Sequence, residues 1–200
     1  MTKRKKTAIL ISAIAVIAVL VVGMTLAYFT DQDQKQNVFT LGKVAGSLDE
    51  TSTDGTKTDN GYNYDHVKPG DKLDKEPFVT VDGDSEDAYI RVSITVGNTD
   101  GKLTDTNKQE ILDGLDIQDG WVKGTDGYYY YQTKMSKGQQ TGKVFTTVTI
   151  PAESWGNDQA EAVFTIDLKA DLIQADNFTP TTNDGGQIVS WGNVDIQNAK

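Results

Sequence analysis

The sequence predicts an all-β fold: an antiparallel β-sandwich with one short helix, preceded by an N-terminal signal helix. Three observations carry that expectation. Residues 88–96 (AYIRVSITV) and 162–172 (AVFTIDLKADL) alternate apolar and polar side chains, the period-2 pattern of strands with one buried face. Further short strand-forming runs are separated by turns rich in Gly, Asn and Asp, at the spacing of a sandwich. Ahead of them stands a basic head followed by an apolar run, the order of an export signal.

In chain order, Lys3, Arg4, Lys5 and Lys6 precede the apolar run Ala8–Val22, then Gly23 and the small-residue end Thr25-Leu26-Ala27. Cations remain on the cytoplasmic side while the apolar helix enters the bilayer, and the A-x-A-like end places cleavage between Ala27 and Tyr28. Ala8 to Met24 would make about 26 Å of helix, slightly short of a hydrocarbon core of roughly 30 Å. Adding Thr25–Phe29 makes it long enough, so length leaves an uncleaved span open. The small residues before Tyr28 and the acidic, Gln-rich stretch after it favour cleavage. The expected organisation is a signal over 1–27, a mature N-terminal tail over 28–37, the sandwich over 38–175, and a polar C-terminal segment over 176–200 packing on it.

Within the sandwich, Val38–Leu48 reads as a glycine-interrupted strand with Val44, Gly46 and Leu48 on one face. Glu50–Asn63 (ETSTDGTKTDNGYN) reads as an exposed loop. Phe78–Val81 is a short strand, with Pro77 suited to its first position or to a sheet edge. Asn107–Leu115 is the helix: Ile111, Leu112 and Leu115 share a side, Thr106 and Gln109 fit a capping box, and Gly114 marks the stop. Trp121–Lys123 and Tyr128–Tyr131 flank Gly124-Thr125-Asp126-Gly127 as a hairpin. Lys143–Ile150 is a strand ended by Pro151. In the last strand Ala162, Phe164, Ile166, Leu168, Ala170 and Leu172 point inward, and the tail's Phe178, Ile188, Val189 and Trp191 can dock as a flap.

Composition narrows the function. With no cysteine, neither a disulfide framework nor a thiolate metal site is available. Loss of residues 1–27 removes four of 19 basic and none of 29 acidic residues, leaving 15 against 29, a net charge of −14. That charge argues against nucleic-acid partners, which are bound by neutralising phosphates. It also opposes casual self-association, so any polymer needs a specific contact, high salt or lowered pH.

The residues around the cleavage point, Gly23-Met24-Thr25-Leu26-Ala27-Tyr28-Phe29-Thr30-Asp31, lead into Asn37-Val38-Phe39-Thr40-Leu41-Gly42-Lys43-Val44. Together with Val67-Lys68-Pro69-Gly70-Asp71-Lys72-Leu73, a K-P-G-D motif ahead of a core strand, they resemble the TasA/camelysin family. These are exported proteins of Gram-positive bacteria, processed by a signal peptidase of the SipW type. The likeness covers the signal, the first strand and its connection; the rest matches in strand pattern. It implies a jelly-roll-like topology and secretion to the cell surface or extracellular matrix. It also implies subunits that form biofilm-matrix fibres by donating the mature N-terminal segment to a neighbour's sheet. Tyr28 and Phe29 would then be anchors, Thr30, Asp31 and the residues to Gln36 a bridge, and Val38 and Phe39 the strand beyond. The partners so implied are further copies of the chain, the SipW-type peptidase during export and an accessory fibre subunit, with membrane contact only through the uncleaved signal. A sandwich edge supplies the chemistry for this, since its free N–H and C=O groups accept an added strand.

Side-chain chemistry is sparse. His66 is the only histidine and has no G-x-S-x-G elbow or other nucleophile motif beside it, so it reads as a surface residue. Some camelysin-type relatives carry a metalloendopeptidase label, yet an H-E-x-x-H zinc site needs two histidines, and no metal or other cofactor is expected. Asp82-Gly83-Asp84-Ser85-Glu86-Asp87 offers oxygens to Ca²⁺ but lacks EF-hand spacing and reads as a solvated turn. Tyr128–Tyr131 suggests a saccharide platform, but alternation sends two rings inward and two outward, as hairpin packing requires. Asn177-Phe178-Thr179 is a glycosylation sequon without weight in a bacterial setting. The reading is therefore a secreted, non-enzymatic fibre subunit, with a secreted metalloendopeptidase and a monomeric adhesin as alternatives.

Overall fold

The two stretches of clearest alternation become the two longest strands, Ala88–Asn98 and Phe164–Gln174, paired antiparallel from Asn98↔Phe164 to Ala88↔Gln174. The computed structural model describes residues 44–156, 159, 161–176, 178–194 and 196. The signal, Ala27, Tyr28, Phe29, Thr30, Asp31, Val38, Phe39 and Asn177 lie outside the described residues.

The elements in order are β1 (Gly46–Thr51), β2 (Thr56–Thr58), β3 (Gly61–Asn63), β4 (Lys72–Asp74), β5 (Glu76–Val81), β6 (Ala88–Asn98), α1 (Asp105–Asp113), β7 (Trp121–Lys123), β8 (Tyr129–Tyr131), β9 (Thr147–Thr149), β10 (Phe164–Gln174), β11 (Thr181–Thr182) and β12 (Ile188–Ser190). Every pairing is antiparallel. One sheet has the order β10-β6-β8-β7; the others are the pairs β1-β5, β4-β9, β2-β3 and β11-β12. Among the described residues the fold is all-β with one short helix, as the sequence predicts.

The main core lies between the inner face of the four-stranded sheet and the β5 and β9 side. Ile90, Val92, Ile94 and Val96 of β6 meet Val79 and Val81 of β5, Val148 and Phe145, all buried. Full burial of each such side chain is worth about 1.5–3 kcal/mol. Among the described residues no helix is long and apolar enough to cross a membrane.

Several local expectations are corrected. The helix starts two residues early: Thr104 is its N-cap and Asn107, not Gln109, completes the capping box, while Gly114 is the C-cap. Asn98 sets that start by holding Leu103 at both backbone groups, Nδ2 to O at 2.7 Å and N to Oδ1 at 3.2 Å. The stretch 50–63 is not all loop, because it contains the β2–β3 hairpin. The strand expected over 143–150 is regular only at Thr147–Thr149, because the Asp116 carboxylate accepts the Thr146 and Thr147 N–H groups at 2.8 and 2.7 Å.

Candidate functional site

Hydrogen bonding fixes which groups of β10 are engaged. Thr99 N donates to Val163 O (3.1 Å) and Ala175 N donates to Asp87 O (2.8 Å), so the odd-numbered residues of β10 aim their backbone at β6. In an antiparallel ladder the phase alternates, so Phe164, Ile166, Leu168, Ala170 and Leu172 aim theirs the other way. Among the described residues no strand pairs with that edge. The side chains of the same five residues pack against the main core and are only partly buried, whereas their β6 neighbours Ile90 and Val92 are fully buried. One set of residues thus presents both an open backbone edge and an incompletely covered apolar row.

β1 mirrors this arrangement. Asp82 N donates to Ala45 O (2.9 Å), which sets the phase so that Ser47, Asp49 and Thr51 bond β5 while Gly46, Leu48 and Glu50 direct their backbone away. Pro77, which lacks an N–H, sits opposite Glu50, where β1 requires no donor from it. The two edges converge where a Cβ on Gly46 would come within 2.8 Å of Leu172 Cδ2. Further along, a cleft of about 380 Å³ lies between Leu48 and Glu50 on one side and Ile166 and Leu168 on the other, with the β2–β3 hairpin at its rim.

Lys75 also lines this cleft and forms an ion pair with Glu50; the lysine is 8% exposed. The pair is nearly desolvated, so each charge depends on the other for compensation. Asp49, Asp59 and Asp167 add negative charge and Lys57 positive charge around the opening.

Other candidates are placed as follows. His66 is exposed in a loop with φ 60°. In the acidic turn, Ser85 is buried and accepts from Ala45 N, and Asp87 pairs with Lys134 at 2.9 Å. Hydrogen bonds from Lys134 and Ser136 hold the Asp87 carboxyl below its usual range. Among the described residues no three His, Cys, Asp or Glu side chains are grouped to hold a metal ion. Tyr129 and Tyr131 face the main core, while Tyr128 and Tyr130 face outward into a second apolar cluster with Ile188 and Trp191. The outward pair is therefore covered by the C-terminal segment rather than open to a sugar.

The β1 and β10 edges and the Lys75–Glu50 pair were not found from sequence. Alternation marks a strand's buried face but not whether a neighbour lies alongside, and Lys75 sits among charged residues that give no burial signal.

A family model described as camelysin metallo-endopeptidase matches residues 2–186. No curated protein matches the chain, and no solved structure matches it.

Proposed function

We propose a function from one established premise: this chain belongs to the camelysin metallo-endopeptidase family. The chain is an exported structural subunit of extracellular fibres in a biofilm matrix or on the cell surface. A SipW-type signal peptidase cuts after Ala27, and the freed segment from Tyr28 to Phe39 of one copy enters the cleft between β1 and β10 of the next. The observation that carries this reading is the coincidence, on β10, of an open backbone edge with a half-buried apolar row. An added strand would saturate the edge groups and cover the row together, which is how strand addition achieves affinity. Because donor and acceptor are different segments of the chain, the contact is head-to-tail and propagates rather than closing on itself. An accessory subunit with the same acceptor edge would seat at an end of the fibre.

The family description favours a second reading, a secreted metalloendopeptidase. The donor set does not fit a catalytic zinc. The chain has one histidine and no cysteine, and among the described residues no three His, Cys, Asp or Glu side chains converge. The two readings separate in one preparation. Mature protein imaged by electron microscopy over a pH and salt series is expected to form fibres, and the same protein lacking Tyr28–Gln36 is expected to remain a folded monomer. Fibres of normal yield from the truncated chain would refute strand donation. Casein digestion abolished by a chelator would establish the protease instead.

A further inference from the structure

Outside the cleft, the outer face of the four-stranded sheet is built to hold a peptide. Arg91 of β6 points to this face, is 7% exposed, and pairs through Nε with Asp171 Oδ2 at 3.0 Å. Its guanidinium lies over the rings of Tyr128 and Trp191, 3.9 and 4.7 Å from their centroids. Trp191 meets Tyr130 and Phe178 edge-on, at 5.7 and 5.9 Å between centroids. Three residues earlier, the Gln132 amide engages both backbone groups of Ile188: the Ile188 N–H donates to Oε1 at 2.7 Å and Nε2 donates to the Ile188 carbonyl at 3.0 Å. A side-chain amide stands there in place of a neighbouring strand. Between these points, any Cβ at Gly124 would collide with the Val189 carbonyl oxygen, so a glycine is required for the backbone to pass.

Two observations set the occupant apart from the body. The matched family region ends at residue 186, before Ile188 and Trp191, while Arg91, Gly124, Tyr128, Tyr130 and Gln132 all fall inside it. The β11–β12 ladder is short, pairing only the exposed Thr181 and Thr182 with Ser190 and Ile188, and its turn is closed by hydrogen bonds between Asn183 and Gln187. The apolar side chains of Ile188 and Trp191 are thus buried by the groove rather than by this exposed hairpin. Trp191 is 4% exposed and its Nε1 is buried without a hydrogen-bond partner, so the fit leaves one donor unsatisfied.

We propose that this face is a peptide-binding groove for a segment of the form Ile-x-x-Trp, filled here by the chain's own Ile188–Trp191 and open to the same segment of a second copy. The contacts are identical whichever copy supplies the segment. The balance is then set by the concentration of neighbours against the effective concentration of the tethered segment, on the order of millimolar for a short tether. Exchange of an identical element between copies needs no new interface chemistry.

The test titrates a fluorescent peptide copying residues 186–194, which stands for the second copy's segment, against the full-length chain. Trp191→Ala in the full chain weakens its own occupant. It should bind the wild-type peptide at least tenfold more tightly than the unaltered chain does. A peptide with Trp→Ala at the position of Trp191 should bind at least tenfold more weakly, and adding Gln132→Ala to the chain should also weaken binding several-fold. A Trp191→Ala chain that unfolds cooperatively yet does not bind the peptide, or binds the Trp-less peptide equally well, overturns the proposal. If that variant does not unfold cooperatively, the full chain with Ile188→Ala takes its place under the same two outcomes.

Discussion

The backbone phase of β10 makes a prediction that separates folding from assembly. Leu168 directs its N–H away from β6, whereas Lys169, opposite Ser93, directs its N–H toward it. Proline removes the N–H and fixes φ, and is tolerated in sheets only where no ladder bond is lost. Leu168→Ala truncates a half-buried side chain, so it should cost about 1–2 kcal/mol, below the 2–5 kcal/mol of a fully buried leucine. Leu168→Pro should cost at most about 1 kcal/mol more, because no bond to β6 is broken. Lys169→Pro removes a ladder donor and leaves a Ser93 carbonyl unpaired, so about 3 kcal/mol or more is expected. Urea denaturation of the three variants gives these differences directly. Fibre yield should then follow a different order: Leu168→Ala should assemble weakly, and Leu168→Pro not at all although it is folded. If Leu168→Pro were as destabilising as Lys169→Pro, the assigned phase would be wrong; if it assembled normally, β10 would not be the acceptor edge.

Two further predictions concern the charges that shape this region. Lys75→Met should destabilise the fold by about 3 kcal/mol by stranding Glu50 in a desolvated site, and the double change Lys75→Met/Glu50→Leu should recover much of the loss in a double-mutant cycle. Burial alone would raise the Asp116 carboxyl, but hydrogen bonds from the Thr146 hydroxyl and the Thr146 and Thr147 amides outweigh it and hold it below the usual aspartate range. A depressed folded value contributes stability above the unfolded value and loses it as pH falls through the folded one. Asp116→Ala should therefore cost about 1 kcal/mol at neutral pH, discounted for the exposure of this group, and the difference from the unaltered chain should close as pH drops below that of an ordinary aspartate.

How far the sequence could be read depended on whether a residue's neighbours are local. β6 and β10 were legible because alternation over nine and eleven residues, interrupted in the second only by Val163, matches a strand's period. The β7–β8 hairpin was legible because Gly127, at φ 86°, is a turn residue in a suitable position. The helix was legible but two residues out of place: two Thr-x-x-amide pairs compete, and Asn98, in the preceding strand, decides between them. The β2–β3 hairpin carries almost no apolar signal, since all three residues of β2 are exposed. At the candidate site the alternation identified Ile166 and Leu168 as inward-facing, but an edge is a property of which strand is missing beside it. The alternation sent two of Tyr128–Tyr131 inward and two outward without saying which, and the tail's Ile188 and Trp191 were identified as docking residues. That these residues meet around Arg91 depends on pairing between distant strands.

On the proposed function, a neighbour's freed N-terminal segment fills the cleft between β1 and β10. Cryo-electron microscopy of fibres grown from mature protein tests it most directly. The expected reconstruction has an added strand alongside Ile166 and Leu168, continuous with the chain of the adjacent subunit and carrying Tyr28 and Phe29 density. Fibres whose subunits touch elsewhere, with that cleft empty, would contradict it.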